Sequence, residues 1–86
     1  MTVEIRKGTA GVLADVVRYH RKQSGLSRVA LAELAAVGKT VIYDIEHGKQ
    51  TVRLATLVQV LEALNIAVVL TSPLMDAFEE DRRETR

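Results

Sequence analysis

The chain lacks or is short of several features on which common sites and structures depend. It has no cysteine, which excludes disulfides, thiolate metal sites and cysteine nucleophiles and suits a reducing compartment. Its longest uninterrupted apolar run covers only residues 66–70, against roughly 20 residues needed to cross a bilayer. Residues 1–8 are charged and no long apolar stretch follows them. We therefore expect no secretory signal, no membrane partner and a cytoplasmic location.

The net charge of only +1 conceals two regions of opposite sign. Residues 1–53 carry nine basic and five acidic side chains, whereas residues 54–86 carry three basic and six acidic ones. A basic first part favours a polyanionic partner such as nucleic acid. With 86 residues, 48% of them hydrophobic, the chain is predicted to form a single globular domain over residues 1–86. Domains of this size often gain stability from a second copy.

Hydrophobic periodicity and capping residues predict an all-α fold with four main helices over about residues 9–65. The first helix is expected to begin at Ala10, with Thr9 as its N-cap. It should end at Gly25, because glycine suits the left-handed residue that follows many helices. Ser27 can cap the second helix, since its hydroxyl accepts an otherwise unbonded backbone N–H.

The second and third helices are short and are separated by a break of three residues. The second is expected to end at Ala35, and the third to run from about Lys39 to His47 before Gly48. A longer fourth helix is predicted to begin at Leu54. The apolar positions of these three helices that are expected to face the core are Leu31, Leu34, Ala35, Ile42, Ile45, Leu54, Leu57, Val58, Leu61 and Leu64.

After the fourth helix the pattern changes from helical to strand-like. Residues 66–71 are rich in β-branched side chains and apolar on both faces, which predicts a short C-terminal β-strand that ends before Pro73. Alternating polar and apolar residues also predict a short strand at residues 2–5. The C-terminal strand could pair with residues 3–5 of it, with its own copy in a second chain, or with both, because an unpaired apolar strand promotes aggregation. Residues 74–86 are predicted to be a charged tail, either a short helix or a loose end. The residues assigned to a dimer interface are Ile66, Val68, Val69 and Leu70.

Two short helices joined by a tight turn, between longer amphipathic helices, are typical of the helix-turn-helix, whose second helix enters the major groove of DNA. The chain resembles the Cro/repressor-like (XRE) helix-turn-helix family on these grounds. The matching residues are Arg21, Gly25, Leu26, Ser27, Leu31, Ala32, Glu33, Leu34, Ala35, Val37, Ile42, Ile45, Glu46, Gly48, Lys49, Leu54, Thr56, Leu57 and Leu61.

Within that family the chain is most similar to the HipB-type antitoxins. The likeness rests on Gly38 and Lys39 at the start of the third helix, on a Gly-Lys-x-Thr loop at residues 48–51, and on an apolar strand directly after the fourth helix. It implies a homodimer that binds double-stranded operator DNA and a kinase-like toxin. Two positions depart from the family: Ala36 stands where glycine is common, and Gly38 where serine or threonine is common.

One face of the third helix is polar, and in a helix-turn-helix this is the face that meets the groove. Its members are Lys39, Thr40, Tyr43, Asp44 and His47. Lysine can donate to guanine or phosphate, threonine can touch a thymine methyl group, and tyrosine offers a hydroxyl and a flat apolar surface. The aspartate could accept from a cytosine amine, or hold the side chain of Lys39 or Thr40. Further DNA contacts are predicted for Ser27, Arg28, Lys49 and Arg53.

Arg21 lies in register with Leu13 and Val17 on the apolar face of the first helix, which is unusual for an arginine. In the resembled family the equivalents of Arg21 and Glu46 form a partly buried ion pair. The resemblance therefore assigns these two residues a structural role.

No pattern indicates an enzyme, a cofactor or a metal site. Residues 38–40 look like the end of a phosphate-binding loop, but that motif needs glycine where Glu33 stands. His20 and His47 have no further ligands beside them. The predicted function is a dimeric repressor, as the antitoxin of an operon that regulates itself. The alternative is a protein-interaction module that neutralises a toxin by direct contact and binds little DNA.

Overall fold

A computed structural model of the chain describes residues 2–8 and 10–84. No helix in these ranges is long and apolar enough to cross a membrane. The predicted N-cap Thr9 lies outside the described residues. The all-helical prediction is confirmed, and the helices are α1 (Ala10–Gln23), α2 (Arg28–Ala35), α3 (Lys39–Glu46), α4 (Leu54–Ala63) and α5 (Met75–Glu84).

The core lies where α2 packs on α3 and α4, and where α1 packs on α3. Each fully buried aliphatic side chain contributes about 1.5–3 kcal/mol relative to an exposed one. The buried cluster consists of Val17, Leu31, Ala32, Ala35, Ile42, Ile45, Val60, Leu61 and Leu64.

Two leucines that were expected to face the core are exposed, and one valine that was not expected there is buried. The buried residues of α2 are Leu31, Ala32 and Ala35. Successive residues are turned by about 100° about the helix axis, so Leu34 points outside the sector that these three residues span. Leu54 is the first residue of α4, whereas the buried residues of this helix include Val60 near its other end. The inward predictions for Leu34 and Leu54 are therefore wrong.

Helices α1 to α4 all end in the same backbone motif. A residue with positive φ follows each helix. The residue after it donates its backbone N–H to the carbonyl of the residue five positions earlier in the chain, as in the Schellman motif. The positive-φ residues are Gly25, Ala36, Gly48 and Asn65. The bonds that follow them are Leu26 to Arg21 at 3.1 Å, Val37 to Ala32 at 2.9 Å, Lys49 to Asp44 at 3.0 Å and Ile66 to Leu61 at 2.9 Å.

The predictions that Gly25 and Gly48 end helices are confirmed. Ala36 adopts the left-handed conformation at φ 59°, so the departure from glycine leaves the turn intact and strains one alanine. A Cβ in this conformation costs roughly 1–2 kcal/mol. The residues after three of these ends then pack against the core: Leu26, Val37 and Ile66.

The predicted β-strand at residues 66–71 is not formed within the described part of the single chain. The segment is neither helical nor paired with residues 2–5. Ile66 packs against the core, but Val68, Val69 and Leu70 are 55%, 73% and 77% exposed. A strand needs a neighbour to complete its backbone hydrogen bonds, and a four-helix core offers none. The strand prediction is wrong for the isolated chain.

The tail forms a helix, α5, over most of its length. Asp76 lies in the first turn and Arg82 and Arg83 in the last, which suits the helix dipole at both ends. No residue of α5 is buried, and Leu74 and Phe78 are both exposed. The helix therefore leaves these two apolar side chains open to solvent in the single chain.

Candidate nucleic-acid interface

The two helices of the motif are bounded by residues of distinct backbone conformation, and only the start of α2 has a side-chain cap. Ser27 Oγ accepts a hydrogen bond from the Ala30 N–H at 3.0 Å, which starts α2 as the sequence predicts. Gly38 precedes α3 in an extended conformation and supplies no side-chain cap. Two helices of eight residues each, with a left-handed Ala36 in the three-residue turn between them, thus form the helix-turn-helix unit.

The exposed face of α3 brings together most of the residues predicted to contact DNA. Lys39, Thr40 and Tyr43 are exposed, and His47 follows directly after the helix, also exposed. The opposite face holds Ile42 and Ile45, which are buried. Because core packing fixes one side of α3, the polar side is presented to solvent as one continuous surface.

Asp44 is only partly exposed, and it interacts with the loop after α3. Lys49 Nζ lies 3.4 Å from Asp44 Oδ2, and the Lys49 N–H donates to the Asp44 carbonyl at 3.0 Å. Among the described residues the side chain that Asp44 contacts is thus Lys49 rather than Lys39 or Thr40, and its predicted contact with a cytosine amine stays a prediction. Farther along the chain, Arg53 is exposed immediately before α4.

Tyr43 is held in an aromatic stack near the middle of this surface. Its ring and that of His47 are nearly parallel, with centroids 3.8 Å apart. His47 Nδ1 lies 2.7 Å from the Tyr43 carbonyl oxygen, which fixes the imidazole along the helix. The Arg28 guanidinium carbon lies 5.7 Å from the Tyr43 ring centroid, within the range of a cation–π contact. The tyrosine is therefore a positioned, half-exposed flat group.

Glu46 is the buried centre of a cluster of charged groups. Arg21 Nε donates to its Oε2 at 2.6 Å, and Arg21 Nη2 donates to its Oε1 at 3.1 Å. The Glu46 side chain is fully buried and that of Arg21 is 9% exposed. Arg21 Nη1 also donates to the Leu26 carbonyl at 2.9 Å. The two predicted members of the ion pair thus join α1 to the end of α3.

Two further arginines contact Glu46, and sequence reasoning missed both contacts. Arg28 Nε donates to Glu46 Oε1 at 3.1 Å, although Arg28 was predicted to contact phosphate. Arg18 Nη2 donates to the Glu46 carbonyl, and Arg18 Nε lies 3.9 Å from Glu46 Oε1. Arg18 and Arg21 are three residues apart and so share a face of α1, which was the available signal for Arg18. No local pattern pointed to Arg28.

The carboxylate is stabilised in its ionised form. Burial raises the pKa of Glu46, but hydrogen bonds from Arg21 and Arg28, together with their positive charges, outweigh burial and lower that pKa below its ordinary value. Three guanidinium groups meet the Glu46 carboxylate, and Arg18 also pairs with Asp15 at 3.6 Å, so the cluster keeps a small excess of positive charge beside the α2–α3 surface. Such an excess favours an anionic partner.

Comparison with known proteins assigns this arrangement to a family. The family HTH_3, described as helix-turn-helix, matches residues 17–69, which include all of α2, α3 and α4. The chain belongs to this helix-turn-helix family. Within the described residues, no group of three His, Cys, Asp or Glu side chains is placed to hold a metal ion.

Two related sequences carry regulatory names. The helix-turn-helix chain is 34% identical over 65 residues to an uncharacterised HTH-type transcriptional regulator, y4mF, of Sinorhizobium fredii, covering 76% of this chain and 86% of that protein. It is 37% identical over 57 residues to the control protein C.SmaI of Serratia marcescens, covering 66% and 68% of the two chains. The chain is thus placed among DNA-binding regulators.

Solved structures support the predicted resemblance at the level of the fold. A chain of the HipA–HipB–O2-O3 complex superposes with a TM-score of 0.71 at 21% identity, covering 84% of this chain and 99% of that one. An HTH_3 family transcriptional regulator from Vibrio cholerae gives a TM-score of 0.61 at 31% identity, covering 67% of this chain and 33% of that one. The HipB-like prediction is confirmed as a likeness of fold.

Proposed function

We propose that this helix-turn-helix protein is a sequence-specific transcriptional repressor that inserts α3 into the major groove of operator DNA. The observation that carries the proposal is the exposed face formed by Lys39, Thr40, Tyr43 and His47 on a helix whose opposite face is buried. Helix-turn-helix proteins read base edges with this face. Ser27, Lys49 and Arg53 flank it and contact the DNA backbone in the proposed complex, with Asp44 positioning Lys49.

The salt dependence of DNA binding tests this proposal. Arg28 is held by the buried Glu46 carboxylate at 3.1 Å, so we count three other cations per protomer for phosphates: Lys39, Arg53 and Lys49. The pair of Lys49 with Asp44 is longer, at 3.4 Å, and half exposed, so it can exchange for a phosphate at little cost. A dimer then makes about six contacts, and log affinity should fall against log salt with a slope of roughly −5. The measurement is a titration of labelled duplex fragments, selected from random DNA, at several salt concentrations. A slope near zero contradicts the proposal.

We further propose that the repressor is a homodimer joined at residues 66–71. In the single chain Val68, Val69 and Leu70 expose apolar surface and unpaired backbone. The same segment of a second copy would complete the missing strand pairing and cover these side chains, with Ile66 at the edge. A twofold dimer also presents two α3 helices to a palindromic operator.

Lysine substitutions test the dimer. Val68→Lys or Val69→Lys should give a helical monomer with much weaker operator binding, because a charge enters the proposed interface and one half-site supplies only half of the phosphate contacts. Sedimentation measures the mass and circular dichroism the helix content. Val12→Lys is the matched control, since Val12 is an exposed valine on α1. Variants at residues 68 and 69 that remain dimeric at micromolar concentration contradict the interface.

The finer proposal is that the repressor is the antitoxin of a toxin–antitoxin pair. Its support is the likeness in fold to chains from complexes that contain HipA and HipB. The rival is a protein-interaction module that neutralises a toxin with little DNA binding of its own. Co-purification of the protein with the product of the adjacent gene, with and without operator DNA, distinguishes the two. Binding of DNA by the protein alone supports the repressor, and binding only with the partner supports the module.

A further inference from the structure

A shallow groove of about 360 Å³ lies between the first turn of α2 and the first two turns of α3. It is lined by Arg28, Val29, Lys39, Thr40 and Tyr43. Val29 is 50% exposed and Tyr43 is 51% exposed, so both present apolar surface at a place where the helices are otherwise polar. Val29 was not among the residues predicted from the sequence to contact DNA.

The walls of the groove are held in position by contacts outside it. Arg28 is fixed by its hydrogen bond to Glu46, and Tyr43 by its stack on His47. Neither wall must be reordered when a ligand enters, which lowers the entropic cost of binding. The groove is therefore prepared for a small apolar group before DNA arrives.

The charges around the groove indicate what kind of molecule carries that group. Arg28 and Lys39 are its two charged lining residues, and both are cationic. An apolar recess flanked by cations complements a small apolar group flanked by anions. In the major groove of DNA, thymine presents a C5-methyl group, with phosphates on either side.

We propose that this groove binds the C5-methyl group of one thymine in each operator half-site, with Val29 and Tyr43 as the apolar contacts. Val29 is then a specificity-determining residue, since unmodified DNA carries this methyl group only on thymine. Thr40 adds its own methyl group at the edge of the recess. The inference rests on the proposed function, because it requires α3 to lie in the major groove.

Deoxyuridine provides a test that removes the methyl group and nothing else. In the duplex selected by the protein, each thymine is replaced in turn by deoxyuridine and the affinity is measured. One position in each half-site should lose about three- to fourfold, which corresponds to one buried methyl group. The Val29→Ala variant should bind the thymine and deoxyuridine duplexes at that position with nearly equal affinity. Val12→Ala is the matched control, because Val12 is an exposed valine on α1. This variant should still lose about three- to fourfold in affinity when the same thymine is replaced.

The outcomes separate this inference from the function on which it rests. If no thymine is sensitive, or if Val29→Ala shows the same sensitivity as the unaltered protein, the inference is overturned while DNA binding stands. If the unaltered protein binds no duplex, the proposed function falls and the inference with it. Circular dichroism of Val29→Ala confirms that the helices persist, as expected for a half-exposed side chain.

Discussion

Replacing Glu46 with glutamine removes one negative charge from the centre of the arginine cluster while nearly preserving volume. The carboxylate receives two hydrogen bonds from Arg21, at 2.6 and 3.1 Å, and one from Arg28 at 3.1 Å. These bonds join α1, α2 and α3. The substitution therefore tests whether one buried charge stabilises the packing of three helices.

The expected cost follows from the exposure of the groups left behind. Arg21 is 9% exposed, and without the carboxylate its remaining bond is to the Leu26 carbonyl at 2.9 Å. Removing one partner of a buried ion pair costs roughly 3–5 kcal/mol. The amide oxygen of glutamine can still accept one bond, so we expect about 3 kcal/mol. That is a large part of the roughly 5–15 kcal/mol that stabilises a typical domain.

Urea unfolding at neutral pH, followed by circular dichroism, measures this cost. Protein concentration must be the same for every variant, because the proposed dimer would make apparent stability depend on concentration. Asp44→Asn is the matched control: it removes the same charge from α3, but the partner Lys49 is half exposed. Such exposed pairs contribute at most about 1 kcal/mol. Equal losses in the two variants would refute the argument that burial makes the Glu46 cluster important.

The pH dependence of stability supplies a second measure of the same group. The pKa of Glu46 is lower in the folded protein than its ordinary value of 4.5, so the stability that it contributes is present above that value. This contribution is lost as pH falls below 4.5 and through the folded pKa. Glu46→Gln should therefore lose less free energy of unfolding over that acidic window than the unaltered protein. Parallel curves for the two proteins would contradict the assignment.

Two further substitutions test the ends of the helices. Ala36→Gly should stabilise the protein by about 1 kcal/mol, because it relieves a left-handed alanine, whereas Ala55→Gly within α4 should destabilise it by roughly 0.5–1 kcal/mol. Urea unfolding measures both changes in the free energy of unfolding. If the two changes have the same sign, the left-handed conformation of residue 36 does not explain the effect of Ala36→Gly. Ser27→Ala should lower the free energy of unfolding by about 1 kcal/mol, because α2 loses its N-cap. Thermal unfolding measures this loss, and an unchanged midpoint would contradict a stabilising role for the cap.

The sequence by itself determined the local elements of this protein. A helix cap depends on the conformation of one residue and on hydrogen bonds within about five residues, so Ser27, Gly25 and Gly48 could be assigned from their types and positions. Apolar spacing located α1 to α4 for the same reason. The polar face of α3 followed from its register, since residues three and four apart share a side.

Only the tertiary structure decided which groups from different helices meet. Arg28 begins α2 and Glu46 ends α3, and no local pattern relates them; the angle of the turn brings them to 3.1 Å. Leu34 fits the apolar periodicity of α2, yet it is exposed because the neighbouring helices cover a different arc. Residues 66–71 have the composition of a strand, but pairing is a relation between two segments, and nowhere in residues 2–8 and 10–84 does a second segment pair with this one.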